Sequence, residues 1–290
     1  MTIPAEKTRL LEDIAGRLAT VPNVEAVALG GSHARGMHRP ESDLDIGIHY
    51  REGAPFAIDD IRAIAKAFSA GGSPTVTDFY DWGPFVNGGA WIDNRVCKID
   101  FLYRNLDQLE RIVADAHQGR SDHSFDQQPP FGFRSVTALG EIHIAKPLHD
   151  PKNVLVPLKA AVASFPSALK TRIVRDTLGM AEFTFIHARN YYAKAGDVPN
   201  TASCMTRIFH YLVHALFALN ETYLVNDKTS LKEIESFPTK PQDFGVRVSA
   251  ILAAPGGSPE TLDASLDHLK ELLAETTALS GSYKPRFDVR

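Results

Sequence analysis

The apolar residues of this 290-residue chain change their spacing once, near residue 153, and that change limits what each half can fold into. Before it, strand-like and helix-like runs alternate. Leu10, Leu11, Ile14 and Leu18 follow helical spacing, so residues 5–19 read as a helix. Val24 to Leu29 is a short apolar run that stops at Gly30-Gly31 and reads as a strand, and Leu44 to Tyr50 reads as a second. Ile58, Ile61, Ala65 and Phe68 predict a helix closed by Gly71-Gly72, and Thr75 to Phe79 a third strand. Trp91-Ile92, a turn at Asp93-Asn94 and Arg95 to Tyr103 predict a hairpin. Leu106, Leu109, Ile112 and Val113 give a further helix, and the polar, Pro-bearing stretch Gln118 to Phe131 a loop.

After Pro147 to Lys152, where the first domain is expected to end, the pattern is helical throughout. Residues 168–195 read as one helix ended by Gly196. Thr201 or Ser203 can cap the next, which runs to about Val225, and Ser230 with Glu233 fits a capping box. Ser258-Pro259-Glu260 combines a cap, a first-turn proline and an acid for the helix dipole, and Leu262, Leu266, Leu269 and Leu273 then hold one face until Gly281. The expected fold class is therefore α+β: a small mixed-sheet domain over residues 1–150, followed by an α-helical bundle over 151–290.

Charge and composition narrow the function. Residues 1–150 hold 15 Lys and Arg against 21 Asp and Glu, a balance of −6, whereas residues 151–290 hold 16 against 14, a balance of +2. An acidic first half lacks the clustered positive charge that long nucleic acid requires, but it suits a divalent cation. The N-terminus carries Glu6 and Lys7 and no apolar core, so no signal peptide is expected. Charges interrupt the apolar runs, and no membrane partner is expected. Two cysteines, Cys97 and Cys204, exclude a disulfide framework and make a reducing cytoplasm the expected location.

The chemistry concentrates in Gly30-Gly31-Ser32-His33-Ala34-Arg35-Gly36 and in Ser42-Asp43-Leu44-Asp45-Ile46. In a strand, alternate side chains share a face, so Asp43 and Asp45 point one way while Leu44, Ile46, Ile48 and Tyr50 point the other. Two carboxylates roughly 7 Å apart repel unless a cation sits between them. Mg²⁺ takes oxygen ligands, commonly one or two carboxylates plus substrate phosphates. In Cys97 to Tyr103, Ile99, Phe101 and Tyr103 alternate with Lys98 and Asp100, so Asp100 can join the pair if the strand enters the same sheet; Asp78 and Asp93 are the competitors. Gly30 and Gly31 let the backbone approach a phosphate, amides at a helix start attract anions, and the Ser32 hydroxyl adds a hydrogen bond. The segment is neither a Walker A loop nor a dinucleotide turn. His33 and Arg35 lie beside it and can reach phosphate or face solvent.

Gly-Gly-Ser, a short helix, Asp-x-Asp and a later strand Asp resemble the nucleotidyltransferase superfamily, which includes DNA polymerase β and kanamycin nucleotidyltransferase. The resemblance covers residues 23–104, and the helical half looks like the bundle that follows the catalytic domain in antibiotic-modifying members. It implies that Gly31 and Ser32 hold a nucleoside triphosphate, that Asp43 and Asp45 bind Mg²⁺ (or Mn²⁺), and that Asp100 completes the metal site and activates an acceptor hydroxyl. Gly30 and Arg35 are placed with the nucleotide. The implied reaction moves a nucleoside monophosphate to a hydroxyl, on a small molecule or a protein, and releases pyrophosphate.

Two further features lie outside the motif. Trp82, Phe85 and Trp91 cluster around Gly83 to Gly89 and can stack on a base or an acceptor, or pack the loop onto the domain. Arg207, His210, His214 and Glu221 share one stripe of a predicted helix. A solvent face is the simpler expectation for it, and a lining for the acceptor the alternative. Arg207 and His214 also form an Arg-x6-His pattern that resembles the RNase motif of HEPN domains, which opens a toxin–antidote reading. A nucleotide-binding regulator without turnover is a further alternative, and the three acids weigh against it.

Overall fold

Strict alternation in residues 44–50 places Leu44, Ile46, Ile48 and Tyr50 on one face, and all four are essentially inaccessible. In the computed structural model, which describes residues 3–281, 283–287 and 289, this segment is the central strand of a six-stranded sheet. The strands are β1 (Ala26–Leu29), β2 (Leu44–Tyr50), β3 (Thr75–Val76), β4 (Gly89–Asp93), β5 (Lys98–Asn105) and, after a two-stranded ribbon of β6 (His123–Ser124) and β7 (Phe133–Arg134), β8 (Lys146–His149). Their order is β3-β4-β5-β2-β1-β8. The β2–β5 pair is parallel, and the other pairs are antiparallel.

One face of the sheet is covered by α1 (Ala5–Leu18) and α3 (Ile58–Phe68). Leu11, Ile14 and Leu18 of α1 and Ile61, Ala65 and Phe68 of α3 form one core with Leu44, Ile46, Ile48, Ile99, Phe101 and Tyr103. Each fully buried aliphatic or aromatic side chain there contributes roughly 1.5–3 kcal/mol relative to exposure. The other face carries the alternate residues and hence the chemistry.

The chain divides into two compact units. The first runs from the N-terminus to Asp115 and includes Ser121–Ser164; the second comprises Ala116–Arg120 and everything from Phe165. The division thus falls fourteen residues beyond the expected 150/151 boundary. The helix over residues 155–161, which belongs to the first unit, accounts for the difference. β8 is an edge strand antiparallel to β1, where Pro147 is tolerated because an edge does not need every amide. The helix α5 (Ser135–Ile144) is then bound to α6 (Leu155–Ala161): the Lys159 ammonium donates to the carbonyls of Ile142, His143 and Ala145 at 3.1, 2.9 and 2.7 Å. The α4 helix (Leu106–His117) straddles the partition at its last turn.

The second unit is helical: α7 (Ser167–His187), α8 (Val198–Leu219), α9 (Ser230–Glu235), α10 (Phe244–Ala253) and α11 (Pro259–Leu279). After His187 the chain continues through a π-helical turn and a 3₁₀ turn to Gly196, which has a φ of 71°. Asp197, rather than Thr201 or Ser203, caps α8, accepting from the Asn200 amide. Thr229 sits at the cap of α9, and its hydroxyl donates to Glu233 at 2.6 Å, so the Ser230/Glu233 box is not formed. Ser258 caps α11 as expected, with Thr261 as the reciprocal partner. By length and mean hydropathy α8 could cross a bilayer, in contrast to the reading of interrupted apolar runs. Yet 61 % of its apolar window is buried inside the protein, as in a core helix.

Candidate active site

β1 ends at Leu29, and the chain turns at Gly30-Gly31 into the five-residue helix α2 (Gly31–Arg35). Gly30 donates its amide to the Asp45 carbonyl at 2.8 Å, which fixes the turn against β2. Gly31 has a φ of 56°, in the left-handed region, and a Cβ there would land on the Asp45 carboxylate. Both facts require glycine. Gly31→Ala is therefore expected to cost at least about 2 kcal/mol and to displace Asp45; a urea titration beside triphosphate calorimetry checks both effects.

Asp45 and Asp100 are directly paired positions on the parallel strands β2 and β5. Asp43 stands just before β2, two residues from Asp45. The Asp45 carboxyl is pushed up to about 7, first by burial and then by the charges of Asp100, Asp43 and Glu141, with Arg104 acting in the opposite sense. Of the three acids singled out from sequence, Asp43 and Asp100 thus both lie within electrostatic reach of Asp45. Among the described residues no three His, Cys, Asp or Glu side chains form a ready-made metal cluster. The donor set is nevertheless all carboxylate oxygen, and the raised Asp45 reflects burial together with neighbouring anions that Arg104 only partly offsets. That chemistry fits a hard divalent cation.

Neither competitor is paired with Asp45. Asp78 donates its amide to Asp81 at 2.9 Å, and its charge is felt by Tyr103, which points into the opposite face of the sheet. Asp93 ends β4 opposite Lys98 and is exposed. Ser32 and Arg35 are half-buried in α2, and His33 is buried. His33 stacks on His38 with ring centroids 4.3 Å apart, and burial lowers its pKa.

Three residues not anticipated from sequence shape the site. Arg104 lies four residues beyond Asp100 on the same strand face and pairs with Glu141 of α5 at 2.9 Å. This pair places a further carboxylate and a cation near Asp45. Lys7 of α1 is 4 % exposed, and its ammonium donates to the carbonyls of Pro40 and Ser42 at 2.8 and 2.7 Å, holding the segment that leads into Asp43. The sequence carried a signal for Lys7: it occupies the apolar stripe of α1 with Leu11, Ile14 and Leu18.

Trp82 and Trp91 stack on each other with centroids 3.8 Å apart, whereas Phe85 stacks on Phe133. Gln127 fixes this loop, accepting from the Phe85 amide at 2.9 Å and donating to the Trp82 carbonyl. Arg207, His210 and His214 lie on α8 in the second unit. The solvent-face reading fails for both histidines, which are 6 % and 8 % exposed; α8 packs against α7 and is apolar on most sides. Burial takes His210 down to about 4. Arg207 is exposed, and Glu221 lies beyond the helix end, paired with Lys170 at 2.8 Å.

The family model for the nucleotidyltransferase domain matches residues 10–80. The chain matches none of the curated proteins. Among solved structures, the nucleotidyltransferase-like protein from Exiguobacterium sibiricum 255-15 aligns with 96 % of this chain and 77 % of its own, at 12 % identity and a TM-score of 0.46. The matched residues run from α1 to just beyond β3 and contain Gly30, Gly31, Ser32, Asp43 and Asp45, so this segment of the chain is similar to a nucleotidyltransferase domain.

Proposed function

We propose that the chain transfers a nucleoside monophosphate from a nucleoside triphosphate to an acceptor hydroxyl, with release of pyrophosphate and dependence on Mg²⁺ or Mn²⁺. The observation that carries this reading is the pairing of Asp45 with Asp100 beside a glycine turn that no other residue could form. Asp43 and Asp45 would hold the cation that accompanies the triphosphate, and Asp100 would complete the metal site on the side of the attacking hydroxyl. When bound, the cation would neutralise the crowded carboxylates and the charge that builds on the phosphoryl oxygens.

The protein's own groups supply the rest. Gly30 and Gly31 give the triphosphate close access to the backbone at the start of α2, and Ser32 Oγ donates to a phosphate oxygen. Asp100 accepts the proton of the attacking hydroxyl as its oxygen bonds to the α-phosphorus and the bond to pyrophosphate breaks. Arg104, held by Glu141, offsets part of the negative charge around Asp45.

The test is a thermal-shift panel of ATP, CTP, GTP and UTP, each with Mg²⁺ and with excess EDTA. At about 100 times its dissociation constant, a bound triphosphate stabilises by roughly 2.7 kcal/mol. A shift with at least one triphosphate that EDTA removes is the expected result. An undiminished shift in EDTA would show that the carboxylates do not act through a metal.

A further inference from the structure

Beyond Asp100 the sheet continues in one row. Asp45 pairs with Asp100, Asp100 with Trp91, and Trp91 with Thr75, so these four side chains share a face across β2, β5, β4 and β3. A cleft of about 230 Å³ opens at the far end of that row, lined by Ser73, Thr75, Trp91, Asp93, Lys98 and Asp100 among others. From Asp100 to Thr75 is two strand spacings, roughly 10 Å, which is room for a single ring.

In-line displacement decides what this cleft faces. The attacking oxygen must approach the phosphorus from the side opposite the leaving pyrophosphate. The triphosphate tail belongs at α2, on the β1 side of Asp45, so the attacking hydroxyl arrives from the β5 side. The body of the acceptor then extends over Trp91 toward Thr75. This step rests on the transferase reading above.

We propose that the cleft binds the acceptor and that the acceptor is an uncharged, polyhydroxylated ring of the sugar or cyclitol type. Trp91 offers aromatic surface, braced from behind by its stacking on Trp82. Ser73 and Thr75 are exposed hydroxyls that can donate and accept. Lys98 and Asp93 are cross-strand partners of opposite sign, so they balance each other and leave no net charge to select an ionic substituent. Asp100 is the remaining charge, and it is committed to the metal and the attacking hydroxyl.

The chain contains two tryptophans, and they are this stacked pair, so intrinsic tryptophan emission reports on the cleft. The experiment titrates the full chain, with Mg²⁺ and the stabilising triphosphate present, with methyl α-D-glucopyranoside and myo-inositol. Glucosamine and glucose 6-phosphate form the charged arms. The expected result is a saturable emission change with an uncharged probe, and an apparent affinity at least about fivefold weaker in Thr75→Val, which removes one hydroxyl and keeps a strand-forming shape. No response to either uncharged probe, or tighter binding of a charged one, overturns the proposal. Calorimetry of the triphosphate with wild-type protein separates the two levels. Triphosphate binding without a sugar response removes the cleft assignment alone, whereas no triphosphate binding removes the transferase reading and the acceptor role with it.

Discussion

Asp45→Asn is expected to yield a protein that is more stable than wild type and inert. Burial and the neighbouring charges of Asp100, Asp43 and Glu141 hold the Asp45 carboxyl at about 7, against 3.8 in an unperturbed chain. Its folded-state pKa is thus raised, so the folded protein binds a proton that the unfolded chain has already released. The wild-type protein must therefore lose stability as pH rises from about 4 to about 7. Asparagine keeps the shape and carries no charge, so it removes that loss. Above pH 7 the metal-free variant should exceed metal-free wild type by about 2 kcal/mol or more, or by several degrees in melting temperature. Below pH 4 the difference should vanish. Metal-dependent triphosphate binding should fall at least about a hundredfold, because one of the two clustered ligands is gone. Melting curves in EDTA across pH 4–8, beside calorimetry with Mg²⁺, measure both effects. A variant no more stable than wild type at pH 8 would mean that the carboxylates do not strain one another.

Asp100→Asn should separate binding from chemistry. In the proposed reaction Asp43 and Asp45 would hold the cation that accompanies the triphosphate, whereas Asp100 would face the attacking hydroxyl and take its proton. Its contribution therefore belongs to the transition state. General-base assistance is typically worth about 10²–10⁴ in rate, or roughly 3–5 kcal/mol of barrier. The variant should bind Mg²⁺–triphosphate within about threefold of wild type and release pyrophosphate at least about a hundredfold more slowly. Near-normal turnover would exclude Asp100 as the base. Asp93, at the rim of the same cleft, would then be the next residue to test, since Asp78 lies toward the other face of the sheet.

Local pattern carried much of this. The alternation around Asp45 and around Asp100 named the buried face of both strands, and α1, α3 and β2 lie close to where periodicity put them. Period two says which side a residue faces, but not which strand lies alongside. The register that sets Asp45 against Asp100 is a non-local fact, and so is the meeting of Arg104 with Glu141. Glu141 was hidden further because α5 is apolar on most sides, contains Gly140 and shows little amphipathic contrast. Pro147 disguised β8, since a proline argues against a strand unless the strand lies at an edge. The histidines of α8 were misjudged for a related reason: a polar stripe on a helix reads as solvent-facing until neighbouring helices cover it.

The parallel pairing of β2 with β5 has a consequence for how the molecule comes together. Parallel neighbours cannot be joined by a tight turn, and here residues 51–97 lie between them. Contacts that close so long an interval form slowly, because the chain must lose the entropy of the whole excursion before the pairing rewards it. A fragment ending at residue 80 would keep the recognisable family segment and still lack β4 and β5, the centre of its own sheet and the third acid. During synthesis or refolding, cation affinity should therefore appear late and as a single event. It would report completion of the entire first unit rather than of the glycine turn and the Asp-x-Asp strand.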